Sequence, residues 1–99
     1  MIELDRDTLR VSGSMRLPEA IALREAGLRL LKSAKAIDLS AVGDVDSSAI
    51  AVLLAWERAS GGGGSPLPVI GAPAGLSSLA RLYEVSSYCG LEPDEAPSG

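Results

Sequence analysis

The sequence predicts a single α/β domain, one sheet of about four strands with helices packed on it. Short β-type segments alternate with helical ones along the chain and are joined by brief connections. The 99 residues suit one domain and leave no room for a second core. With 46% hydrophobic and 22% charged residues the composition is globular, yet aromatics make up 3% and Phe is absent, so the core must be aliphatic.

In Thr8-Leu9-Arg10-Val11-Ser12-Gly13, Leu9 and Val11 alternate with polar residues, which predicts a half-buried strand ending at the glycine. Residues 1–5, with Ile2 and Leu4 alternating, form an earlier partner strand if Arg6-Asp7 is the turn. Pro18 at the first helical position, followed by Glu19, opens a helix to Lys32 or Ser33. Its core stripe is predicted as Leu17, Ala20, Ile21, Leu28 and Leu31, opposite Glu25, Arg29 and Lys32. Ala36 to Val42 is the clearest strand, bounded by Lys35 and Gly43. Asp44-Val45-Asp46-Ser47 leads into a second helix from Ser48 to Ser60, with Asp46 or Ser47 placed to cap its free amides. Gly61 to Gly64 stops it, because glycine loses the most backbone entropy on ordering. A strand begins near Leu67, behind Pro66, and a third helix runs from Leu76 to Val85. The domain therefore spans residues 1–91. The acidic, proline-broken residues 92–99 are predicted to be a disordered tail.

Composition excludes much chemistry. Nine Lys and Arg against 13 Asp and Glu give a net charge of −4, which repels nucleic-acid backbones and anionic membrane surfaces. Histidine is absent and Cys89 is the only cysteine, so Cys/His zinc sites, an internal disulfide and imidazole-based triads are impossible. Asp44 and Asp46 fall short of the six or more oxygens that calcium takes, and the glycine run follows a helix without the Lys-Ser or Lys-Thr of a phosphate loop. No cofactor or metal is predicted. The opening Met1-Ile2-Glu3-Leu4-Asp5-Arg6 has acids where an export signal needs bases, and Ala49 to Trp56 is far shorter than the roughly 20 residues that span a bilayer. These features predict a cytoplasmic protein that meets a membrane only through a partner.

The informative segment is Ile37-Asp38-Leu39-Ser40-Ala41-Val42-Gly43-Asp44-Val45-Asp46-Ser47-Ser48-Ala49-Ile50, a buried strand feeding a helix whose start carries hydroxyls and carboxylates. It resembles the STAS domain family of sulfate-transporter and anti-sigma-factor-antagonist modules, in which Asp-Leu-Ser ends a strand and Asp-Ser-Ser-Gly or Asp-Thr-Gly-Gly opens an apolar helix. Leu79-Ala80-Arg81-Leu82-Tyr83 further resembles the last helix of MlaB-like members, the cytoplasmic STAS subunits of phospholipid-transporting ABC complexes. The resemblance covers residues 8–91 and implies a docking site for an ABC transporter ATPase, peripheral association with the inner membrane, and a role in outer-membrane lipid asymmetry. In signalling members the position of Ser47 is phosphorylated. Here Ala49 stands where their pattern has Gly, adding a methyl where a partner backbone approaches.

Each residue also has a structural reading. Asp and Ser at a helix start are commonly caps worth about 0.5–2 kcal/mol, and Asp38 and Ser40 suit a strand end. The resemblance tips Ser47 toward function, with Asp46 and Ser48 beside it as partner-binding candidates. The second helix is apolar nearly all round: either it is sandwiched in the core or part of it is a docking surface to which Trp56, a residue type enriched at binding hot spots, contributes. Three functions compete. The first is a non-enzymatic STAS subunit bound to a transporter ATPase, and the second an anti-sigma-factor antagonist switched at Ser47. The third is a small enzyme using Ser47 with Asp44 or Asp46, weakened by the lack of a suitable base.

Overall fold

A computed structural model describes residues 1–60 and 67–82. The predicted glycine stop, the end of the third helix beyond Leu82 and the predicted tail lie outside the described residues. The elements are β1 (Ile2–Asp5), β2 (Thr8–Met15), α1 (Leu17–Leu30) closed by a 3-10 turn (Leu31–Ser33), β3 (Ala36–Val45), α2 (Ser47–Ala59), β4 (Val69–Ile70) and α3 (Ala74–Leu82). The strands form one sheet in the order β1-β2-β3-β4. β1 and β2 are an antiparallel hairpin, whereas β2, β3 and β4 run parallel through the helical crossovers. The hairpin turns on Arg6, held at φ 60, the sign that a type II′ turn requires at its first central residue.

Leu9 and Val11 on β2 and Ile37 and Leu39 on β3 point into one core, as their alternation predicts, and are joined there by Leu53 and Leu76. Both central strands run past the glycines predicted to end them. Gly13 takes φ 87 inside β2, and the β2–β3 pairing shifts register on either side of it. A bulge absorbs an extra residue without ending a strand, so β2 reaches Met15 and β3 continues through Gly43 to Val45.

The predicted stripe of α1 needs correction. Ala20 is buried as predicted, Leu31 is buried in the 3-10 turn and Leu28 is half-buried, but Leu23 and Gly27 complete the buried face of the helix, while Leu17 and Ile21 are exposed. The two strips lie about 100° apart around the helix. Glycine stands at position 27 of the buried strip because α2 brings Trp56 against it: a side-chain carbon at Gly27 would overlap the indole. Trp56 is 0% exposed, and its Nε1–H donates to the Arg24 carbonyl at 3.1 Å. It is a core residue between α1 and α2, so its predicted place on a partner surface is withdrawn. α2 buries Ala49, Ile50, Val52, Leu53, Trp56 and Glu57, leaving Ser47, Ala51, Arg58 and Ala59 exposed. This helix packs between α1 and α3 and into the core, as the sandwiched reading expects, and its remaining side is exposed.

Candidate functional site

The site is built where β2 and β3 hand the chain to α1 and α2. A helix start leaves backbone N–H groups unpaired, and here one carboxylate serves two starts. Asp46, extended at φ −140 and ψ −169, caps α2: its Oδ1 accepts from the Ser48 N–H at 2.8 Å. Its Oδ2 accepts from the N–H of Leu17, the first residue of α1, at 3.1 Å. Arg16, the N-cap of α1, offers no side-chain cap of its own, and its Nε lies 4.0 Å from the same oxygen. The hydrogen bond from Leu17, aided by those from Ser48 and by the Arg16 charge, holds the Asp46 carboxyl below its usual range. Asp46 is thus the fastener of the site.

That arrangement frees its neighbour. Ser47 is the first residue of α2 and is exposed, and its hydroxyl has no hydrogen-bond partner among the described residues. Ser48 is half-buried beside it. The structure therefore brings Asp46, Ser47 and Ser48 together and sets Trp56 apart from them. Ala49 is 0% exposed, so its methyl fills the core. The obstruction predicted from that methyl, at a partner's backbone, does not arise.

Asp38 has a local duty. Asp38 Oδ1 accepts from the Ser40 N–H at 2.9 Å and the Ser40 hydroxyl at 2.6 Å. The Ser40 hydroxyl foremost, and the Arg10 guanidinium more weakly, keep the Asp38 carboxyl low. Among the described residues no three His, Cys, Asp or Glu gather to hold a metal, and Asp46 commits both oxygens to backbone amides.

Two features escaped sequence reasoning. Leu17 and Ile21, 67% and 69% exposed, wall a shallow groove of about 200 Å³ between the helices. Ser48, Ala51 and Val52 line its other side, and Arg24 is the one charged residue in it. The signal was available in the Leu17, Ile21, Arg24, Leu28 spacing, which is itself a helical strip. Glu57, 6% exposed, is the other: Oε1 accepts from the Leu67 N–H at 2.6 Å, while buried Oε2 has no hydrogen-bond partner among the described residues. Burial raises its pKa to about 7 against the opposing pull of that bond.

A family model described as Mlab, STAS domain matches residues 2–92. The chain belongs to the STAS family. Among solved structures, this STAS domain is similar to the anti-sigma factor antagonist SpoIIAA in its unphosphorylated form, at 15% identity and a TM-score of 0.49, over 84% of this chain and 96% of that one. No curated protein matches it. No helix among the described residues of the STAS domain is long and apolar enough to cross a membrane. In this STAS domain Ser47 heads the helix that follows Asp46.

Proposed function

We propose that this STAS domain is a non-enzymatic subunit that docks on the cytoplasmic ATPase of an ABC phospholipid transporter and supports its assembly or activity. It would sit at the inner membrane only through that complex and serve outer-membrane lipid asymmetry. The observation that carries this reading is the exposed Ser47 hydroxyl at the start of α2, beside a carboxylate fully used in holding two helices in place. A rigid polar corner with nothing to activate a nucleophile suits recognition better than catalysis: the chain has no imidazole, and Asp46 is already an acceptor of two N–H bonds. The MlaB-type family description adds support.

The test is co-purification with the ATPase subunit of the phospholipid transporter from the same cell. Ser47→Arg should lose the ATPase while keeping its circular dichroism, and Arg10→Ala, on the far sheet face, should retain it. Normal binding by Ser47→Arg would show the corner to be the wrong surface.

A second reading, an anti-sigma-factor antagonist regulated by phosphorylation of Ser47, gains from the buried position of Ala49, which removes the steric objection to kinase docking. Phosphate found on Ser47 by mass spectrometry of protein isolated from cells, together with binding to a sigma-regulating kinase and none to the ATPase, would favour it.

A further inference from the structure

We propose that the groove between α1 and α2 receives an amphipathic helix of the docking partner, seated on Leu17 and Ile21 and held by a carboxylate on Arg24. The inference rests on the docking reading above and specifies the partner's chemistry. Large aliphatic side chains exposed one turn apart on a helix are costly in water, and Leu17 and Ile21 are such a pair. The facing wall, Ser48 and Ala51, is small, so a helix backbone can approach closely there. About 200 Å³ accepts one or two aliphatic side chains, the anchors of a helix laid in a groove.

The walls favour a helix over an extended segment. Both are helices whose backbone groups bond internally, and neither offers the free strand edge on which an extended peptide would pair. Charge narrows the occupant further. Arg24 lies one turn beyond Ile21, forms no ion pair among the described residues, and is the one charged group in a groove on a chain of net charge −4. A second copy docked symmetrically through this groove would bring two Arg24 cations into one interface with no carboxylate in either groove to answer them. A partner helix carrying its own carboxylate one turn past its apolar anchors meets apolar wall and cation together. The groove also adjoins Ser47 through Ser48, so the occupant would be continuous with the docking corner.

The experiment measures affinity of the purified ATPase subunit for the full-length domain and for Ile21→Ser, Arg24→Glu and Ser47→Arg. A photo-crosslinking residue is placed at Ile21 in a parallel sample. Ile21→Ser and Arg24→Glu should each weaken binding about tenfold or more, with melting temperatures near that of the wild type because both side chains are exposed. Added salt should shrink the Arg24→Glu defect, and the crosslinks should fall on a partner helix that bears an Asp or Glu near the crosslinked turn. If Ser47→Arg loses the ATPase while Ile21→Ser and Arg24→Glu bind as the wild type does, the groove is not the seat and the docking reading survives alone. Crosslinks on a loop or strand, or a wild-type dimer that Ile21→Ser dissociates, overturn the proposed occupant. A wild-type domain that does not bind the ATPase overturns the docking reading and this inference with it.

Discussion

The indole of Trp56 lies against the backbone of Gly27, its Nε1–H donated one turn back to the Arg24 carbonyl at 3.1 Å. The contact sets how closely α1 and α2 approach, and therefore the width of the groove above them.

Gly27→Ala should destabilise the domain. Alanine gains about 1 kcal/mol of helix propensity over glycine, but its methyl would overlap a fully buried ring, and overpacking costs about 1–3 kcal/mol. A bulkier Gly27→Leu should not fold. Urea denaturation followed through the emission of Trp56, the only tryptophan, reads both.

Asp46→Ala should lower the melting temperature at neutral pH by several degrees, because two helices lose a hydrogen-bonded start. The folded Asp46 pKa is depressed, so its contribution is present above the ordinary carboxylate value of 3.8 and is lost as pH falls through the folded value. The gap between wild type and variant, followed by calorimetry, should close on acidification below about pH 4. A gap that stays constant down to pH 2 would contradict the double cap.

Glu57 has the opposite sign. Its folded pKa, about 7, exceeds the ordinary carboxyl value of 4.5, so the folded state holds a proton that the unfolded chain releases between those values. The contribution is fully present below pH 4.5 and declines as pH rises to 7. Relative to Glu57→Gln, the wild type should therefore lose stability between pH 5 and pH 8. A relative fall in melting temperature of about 5 °C or more is the expected scale. Parallel melting curves at the two pH values would mean that the carboxyl titrates normally.

Phosphate on Ser47 should act on binding far more than on folding. The start of α2 favours an added anion, whereas the adjacent Asp46 carboxylate opposes it. Ser47 is exposed, so no core contact is broken. Melting curves of modified and unmodified protein should agree within a few degrees while affinity for the partner changes about tenfold; a shift of tens of degrees would refute this.

Much of the fold is legible in the sequence because it rests on local signals. The alternation of Leu9 with Val11 and of Ile37 with Leu39 gives strand phase, Asp46 marks a helix start, and Pro18 falls in the first turn of α1. Elsewhere the deciding partner is distant in sequence. Gly13 reads as a turn until its pairing with β3 turns it into a bulge, and Leu17 and Ile21 read as core until Gly27 yields its place to Trp56. Trp56 itself is ambiguous in one dimension, since a large aromatic residue on an apolar helix can be an anchor for a partner or for its own core. Of the candidate site, Asp46, Ser47 and Ser48 are legible as a cap cluster. The second bond of Asp46, reaching 29 residues back to Leu17, is not.

The strand order β1-β2-β3-β4 has a kinetic consequence. Each strand is laid beside the one synthesised just before it, so a chain leaving the ribosome never has to hold a gap open for a strand still to come. Every residue of the Ser47 corner and of the groove lies before residue 60, ahead of β4. The proposed docking surface can therefore assemble on the nascent chain while β4 and α3 are still being made.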